Sequence, residues 1–287
     1  MSKAKFKSEF IKKKLLKIVG SYINTLAIFF PLKAGRIAMN IFCTPRAGRL
    51  KDYQSEFLSK AENLSFSIDN EHIQVYHWKG SGKKVLLVHG WESNAWRWRK
   101  LIKELQNFDF DIYALDAPAH GKSGGKYFTG ILYGKAIDVV SKNIQPQVLI
   151  GHSIGSFSSL YYKSHFMSDH VKKIIVLASP DKMTDITQTY HDTIGLNRRG
   201  KAAYQLYFNR IFDTPVEKFS ASLFAARLDI GGALIHDKDD ITNFFEDGVA
   251  ISSAWQGCTF YSTTGHGHSL QAREVYDIVV KELKNMA

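Results

Sequence analysis

Residues 148–155 read Val148-Leu149-Ile150-Gly151-His152-Ser153-Ile154-Gly155, and a helical stretch follows them. The first three form a short apolar run of the kind shown by a strand buried on both faces. The next five form a Gly-x-Ser-x-Gly turn. Strand, sharp turn and helix in that order are what an activated serine requires. The hydroxyl has to stand exposed on the turn. Small residues on both sides let strand and helix approach, and they tolerate strained dihedrals. The helix then directs the positive end of its dipole at developing negative charge. The competing reading of the same residues is a tight structural turn that happens to contain Ser153.

Working outward, further continuous apolar runs occur at Lys84 to Val88, Asp111 to Leu115, Lys173 to Ala178 and Ala233 to Ile235, with a last candidate at Thr259 to Ser262. Helical patterns separate them. Leu132, Ala136, Val139 and Val140 share one face, as do Val275, Ile278, Val279 and Leu283. Strands alternating with helices predict a parallel sheet covered on both sides. Upstream, Leu64 to Asn70 and His72 to Trp78 alternate apolar and polar residues around a turn at Asp69-Asn70, which predicts an antiparallel edge. The fold class is therefore α/β, a mostly parallel sheet of about eight strands with helices on both faces.

Residues 1–62 read as a basic helical extension broken at Pro45, and residues 63–287 as the α/β domain. No convincing strand lies between Pro180 and Gly231, whereas Ala202 to Phe212 and Val216 to Leu228 look helical. An insertion at about 181–230 is expected to fold as a small helical cap. Its Tyr190, Tyr204, Tyr207, Phe208, Phe212 and Phe224 either line an acyl pocket or pack against the main domain.

If Ser153 is a nucleophile, it needs a base, an acid and an oxyanion hole. Gly265-His266-Gly267-His268 follows the last expected strand and precedes the final helix, and His268, nearer the helix, is the expected base. His236-Asp237-Lys238-Asp239-Asp240 follows the strand before it and offers three carboxylates, of which Asp240 is the expected acid. Asp237, closest to the strand end, and Asp181, after Pro180, are its rivals. The order Ser, Asp, His along the chain is the one this arrangement requires. Val88-His89-Gly90-Trp91 ends another strand on the same edge, so the backbone N–H groups of Trp91 and Ile154 are the candidate oxyanion donors. The indole of Trp91 either lines the acyl pocket or packs under a loop. Asp116-Ala117-Pro118-Ala119-His120-Gly121-Lys122-Ser123 reads mainly as a structural loop, with His120 hydrogen-bonded inside it.

At these positions the chain resembles the α/β-hydrolase family. It looks most like a subgroup with a basic N-terminal extension, a His-Gly-Trp oxyanion loop, an Asp-Ala-Pro-Ala-His-Gly loop, and His-Asp-x-x-Asp and Gly-x-Gly-His motifs. The resemblance covers residues 62–287 firmly and the extension loosely. It implies hydrolysis of esters, thioesters or related acyl bonds without a cofactor, on a small-molecule acyl substrate, with the acid at the Asp240 position. An acyltransferase or a carbon–carbon bond hydrolase would use the same triad, and a non-catalytic binding protein could keep the fold. One departure stands out. The usual proline after the acid motif is missing, and the chain runs Asp240-Ile241-Thr242-Asn243 instead.

Composition narrows the rest. At 287 residues and 45% hydrophobic, the chain can bury one large core. Its two cysteines, Cys43 and Cys258, are no disulfide framework and fit a reducing compartment, so the cytoplasm is the expected location. The formal charge is +11, much of it from Lys3, Lys5, Lys7, Lys12, Lys13, Lys14 and Lys17. This arm is either a solvated helix or a weak contact for an anionic membrane surface. No nucleic-acid motif accompanies it, so no nucleic-acid partner is expected. The apolar stretch Ile23 to Leu32 is interrupted by Pro31 and too short to span a bilayer, and it lacks a signal-peptide cleavage site. His266-x-His268 has ligand-like spacing, but no zinc motif accompanies it, and no metal is expected.

Overall fold

The computed structural model describes residues 3–166 and 168–286, with the side chains of residues 3–13 outside that description. The arm lysines Lys3, Lys5, Lys7, Lys12 and Lys13 thus lie outside the described side chains. The chain divides into two compact units, one of residues 1–44 and 182–219, the other of residues 45–181 and 220–287.

The larger unit holds an eight-stranded sheet in the order β1-β2-β4-β3-β5-β6-β7-β8. Its strands are β1 (Glu62–Ile68), β2 (Glu71–Trp78), β3 (Lys84–Val88), β4 (Asp111–Leu115), β5 (Val148–His152), β6 (Lys173–Leu177), β7 (Gly232–Asp237) and β8 (Cys258–Thr263). β1 and β2 are antiparallel, and β2 is antiparallel to β4; every pairing from β4 onward is parallel. The expected fold class and antiparallel edge are both present. The β1–β2 turn works because Asp69 and Asn70 both take positive φ, 48° and 67°, matching the right-handed twist of the hairpin. Neither residue is glycine, but short polar side chains adopt this region more readily than most.

The apolar runs behave as their composition dictates. Val85, Leu87, Ile112, Ala114, Val148, Ile150, Ile175 and Ile235 are buried in a single core with Leu101, Ile102, Val275, Val279 and Leu283 from the flanking helices. The carboxyl ends of β3 to β8, which are all parallel, share one edge. Thr129 caps the helix Gly130–Ile144 by accepting a hydrogen bond from the Leu132 amide.

The smaller unit is helical and drawn from two separate parts of the sequence. The helices Lys3–Phe29 and Pro31–Cys43 pack with Met183–Ile194 and Arg198–Phe212. Polar ties join the two segments. The Tyr190 hydroxyl donates to the Ala38 carbonyl at 2.7 Å, and Asn24 bridges the turn at Gly195 and Asn197 by donating to one and accepting from the other. Pro31 opens the second helix, at a position where its missing N–H costs nothing.

Candidate active site

Ser153 sits between β5 and the helix Ile154–His165 with φ 56° and ψ −127°, a strained conformation for a residue bearing a side chain. The surroundings hold it there. A Cβ on Gly155 would lie 2.3 Å from the Val88 carbonyl oxygen, and one on Gly151 would lie 2.5 Å from Ser156 Cα. Only glycine lets the helix come this close to β3 and β5. The Ser153 amide donates to the Leu177 carbonyl at 2.9 Å, pinning the turn to the end of β6. Ser153 itself is half-buried.

Across from it lies the loop after β3. A Cβ on Gly90 would be 3.0 Å from Ser153 Cβ, so the backbone leading into Trp91 passes directly beside the serine. Ile154 is the first residue of its helix, and its N–H has no partner within that helix. Among the described residues, the Trp91 N–H donates to no other backbone group. The Trp91 ring is partly exposed and meets His120 and Phe128 edge-on at centroid distances of 5.4 and 5.3 Å.

Two buried histidines brace this loop. His89 Nε2 accepts from the Ala117 amide at 2.9 Å, which places the ring proton on Nδ1, where it donates to the Gly90 carbonyl. His120 repeats the pattern, with Nε2 accepting from the Glu92 amide at 3.0 Å and Nδ1 donating to the Pro118 carbonyl. Burial holds both imidazoles below their ordinary range, His89 at about 3, so both stay neutral. The buried Asp116 carboxylate accepts from the Ala95 and Lys122 amides at 2.8 Å each and from the Tyr76 hydroxyl. The Asp116–Ser123 loop is thus a clamp that fixes the backbone on either side of Glu92.

His268 lies in a short helical turn, Gly267–Ser269, and its Nδ1 is 2.8 Å from Asp240 Oδ2. Asp240 accepts only, so Nδ1 donates and Nε2 is left as the basic nitrogen. The other Asp240 oxygen accepts from the Thr242 and Asn243 amides at 2.8 and 3.0 Å, and the carboxylate is fully buried. Burial alone would raise this carboxyl. The nearby His236 ring, 3.6 Å away, and the hydrogen bonds from His268 and the two amides outweigh it and hold it well below the usual carboxylate range.

The rival carboxylates have other partners. Asp237 accepts from the Thr263 hydroxyl and from the amides of Asp239, His266 and Gly267, so it shapes the loop that carries His268. Asp181 accepts from the Ser220 hydroxyl and the Ser222 amide at 2.7 and 2.8 Å. His266 Nε2 pairs with Glu274 at 2.8 Å, turned to a different partner from His268. In the proline-free run after Asp240, Asn243 donates through Nδ2 to the Ala178 carbonyl and its own carbonyl accepts from His236 Nε2. Three interactions of one side chain and its backbone therefore shape the acid loop.

Sequence reading missed one residue here. His152 is buried, and its Nε2–H donates to the His268 carbonyl at 2.8 Å, with the two rings 4.8 Å apart. Burial, with the nearby Arg97 charge adding to it, keeps this imidazole neutral. It ties the serine's strand to the histidine's loop. In the sequence it occupies a freely variable position of the turn motif, and nothing in its spacing marks it. Burial pushes the Cys43 and Cys258 thiols up to about 12, so both are held in the protonated form.

An eight-stranded sheet with this serine turn, an Asp–His pair on neighbouring loops and a glycine-lined loop opposite is the arrangement of an α/β hydrolase. The sequence profile of the alpha/beta hydrolase fold family matches residues 83–256, and the chain belongs to that family. A pimeloyl-[acyl-carrier protein] methyl ester esterase of Vibrio vulnificus is 23% identical over 152 residues, 50% of this chain and 55% of that protein. One of the same name from Vibrio atlanticus is 25% identical over 146 residues, 51% of this chain and 55% of that protein. The chain thus spans about half the length of the curated relatives it matches. Among solved structures, mouse alpha/beta hydrolase domain-containing protein 10 superposes with a TM-score of 0.63 at 13% identity, covering 78% of this chain and 98% of that one. A bromoperoxidase from Bacillus anthracis gives 0.60 at 17% identity, covering 78% and 100%. These two likenesses concern the fold.

Proposed function

We propose that this protein is a serine hydrolase of ester or thioester bonds, with Ser153 as nucleophile, His268 as base and Asp240 as the acid that orients it. The observation that carries the reading is the Asp240–His268 hydrogen bond at 2.8 Å, on the loop to which His152, the neighbour of the strained Ser153, is bonded. Methyl ester hydrolysis by the named Vibrio relatives points the same way.

The steps follow from the tautomer. Ser153 Oγ attacks the acyl carbonyl carbon while its proton passes to His268 Nε2. The buried Asp240 carboxylate stabilises the imidazolium that forms. Carbonyl electrons move onto oxygen, where the Trp91 and Ile154 amides donate to the anion. When the carbonyl re-forms, the bond to the alkoxide or thiolate breaks, and His268 returns the proton to that leaving group. Water, deprotonated by His268, then releases the acid from the acyl-enzyme and restores Ser153. A fluorophosphonate probe should label wild type and not Ser153→Ala. A series of p-nitrophenyl esters from acetate to palmitate should define the acyl length. Absence of both labelling and turnover would refute the proposal.

We also infer a cytoplasmic location with weak contact at an anionic membrane surface through the N-terminal helix. On that helix Gly20, Ile23 and Ala27 are buried, while Leu15, Ile18, Tyr22 and Phe29 are each more than half exposed. Their spacing puts the four along one stripe. Lys14 and Lys17 flank it, and no acidic residue occurs between Lys14 and Lys51. No helix among the described residues is long and apolar enough to cross a membrane, so the contact supported is interfacial.

A further inference from the structure

A cavity of about 210 Å³ in the larger unit is lined by four cationic side chains, Arg49, Lys51, Arg97 and Arg99, together with Ser93 and Gln271. Among the described residues, none of the four forms an ion pair with a carboxylate. Arg49 donates to the carbonyls of Ser123 and Gly125, and Arg97 to that of Ser269. Arg99 lies over Trp96, its guanidinium carbon 3.5 Å from the ring centroid, which fixes the charge in place. The one acid in the lining, Glu92, accepts from the Arg46 amide through Oε1.

Arg97 keeps one buried donor unused. Its Nε is buried and has no hydrogen-bond partner. Burial pulls its guanidinium down to about 9, with the neighbouring Arg99 charge adding to the effect. A cation held in this way lacks the counter-charge that ordinarily accompanies burial. The cavity also has a telling position. Ser93 lies two residues beyond Trp91, and the Ser269 carbonyl that Arg97 holds belongs to the residue after His268. The cationic lining therefore borders both loops of the candidate active site.

We propose that this cavity binds an anionic group, a carboxylate or a phosphate, carried by the acyl substrate. Anions of this shape are what guanidinium forks recognise best. That the anion belongs to the substrate rests on the hydrolase reading, whereas the cavity's affinity for anions does not.

The test separates the two. Ser153→Ala blocks turnover, so calorimetric titration of this variant reads binding alone. Two matched pairs serve as probes: phosphopantetheine against pantetheine, and monomethyl glutarate against dimethyl glutarate. We expect the charged member of at least one pair to bind about tenfold more tightly than its neutral partner. Which pair responds identifies phosphate or carboxylate as the preferred anion. Adding Lys51→Gln and Arg99→Gln should collapse that ratio to within about twofold, and raising the salt concentration should do the same without any substitution, which keeps the test sound should the variant fold poorly. Charged and neutral members binding alike in both pairs, or a ratio that ignores both salt and substitution, would overturn the proposal. Failure of fluorophosphonate labelling in the wild type would instead count against the hydrolase reading.

Discussion

Replacing Asp240 by Asn tests the triad at its most constrained point. One oxygen of Asp240 accepts from the Thr242 and Asn243 amides, and the other accepts from His268 Nδ1. An asparagine has one oxygen and one NH₂ to divide between these sites. If the NH₂ faced the two amides, both buried donors would lose their partner, at about 1–3 kcal/mol each. The amide oxygen should therefore stay on the loop, leaving the NH₂ to donate toward His268. The imidazole must then accept at Nδ1 and carry its proton on Nε2, the tautomer that cannot take a proton from Ser153. The charge that stabilises the imidazolium is lost as well. Together these should lower kcat by roughly 10⁴-fold, about 5.4 kcal/mol of barrier, with the fold intact. Asp237→Asn should reverse the balance. That carboxylate accepts four hydrogen bonds that shape the His268 loop and touches His268 at none of them, so stability should suffer more and kcat less. Initial rates of p-nitrophenyl butyrate hydrolysis, normalised to folded protein, measure the first quantity, and urea unfolding the second. If Asp240→Asn stays within tenfold of wild type, or Asp237→Asn is the more damaging to kcat, the assignment of the acid is wrong.

Other perturbations follow from the same geometry. Ser153→Ala should abolish hydrolysis and probe labelling while changing stability by less than about 0.5 kcal/mol. Ser153→Gly should be equally inactive yet more stable by about 1 kcal/mol, because glycine relieves the strain at φ 56°; denaturation midpoints of the two variants decide it. His152 is a positioning residue, so His152→Phe should lower kcat by about tenfold to a hundredfold with KM little changed, and His152→Gln, which keeps a donor for the His268 carbonyl, should recover much of it. The Asp240 carboxyl is held below its unfolded value, so its contribution to stability is complete above about pH 4 and disappears as the pH falls through the folded value. The unfolding free energies of wild type and Asp240→Asn should therefore converge as the solution is acidified below that point; a constant gap would exclude this linkage. Deleting residues 1–19 should remove binding to anionic vesicles, each lysine near the surface contributing about 1 kcal/mol at most. Equal binding of the intact protein to neutral and anionic vesicles would rule out the electrostatic part of that contact.

The larger unit was legible because its information is local. Runs such as Val85 to Val88 and Val148 to Ile150 are continuous in hydrophobicity because both faces of those strands are covered, and a parallel sheet is the architecture that covers them. The serine turn was legible for a similar reason, since Gly151 is demanded by the approach of Ser156 five residues on, and Gly155, which meets the Val88 and His89 carbonyls of β3 and the loop after it, completes a pattern contained within five residues. What stayed hidden depends on long-range partners. His152 meets His268 across 116 residues, and His89 and His120 earn their places by bonding amides 28 residues away. No periodicity encodes such pairings, because each needs only one nitrogen in the right place. The helical unit is the extreme case. Residues 1–62 and 181–230 read as an extension and a separate insertion, yet the helices Lys3–Phe29 and Pro31–Cys43 fold with Met183–Ile194 and Arg198–Phe212 as one unit. The ties that reveal it, Tyr190 to Ala38 and Asn24 to Gly195, link single atoms across more than 150 residues of chain. Asn24 and Tyr190 look like ordinary helix residues until their partners are known. The same holds for the cationic cavity, whose four charges come from two stretches, Arg49 with Lys51 and Arg97 with Arg99, about 45 residues apart. Net charge announced the excess of cations, and only the fold shows which of them stand together without an ion pair to a carboxylate.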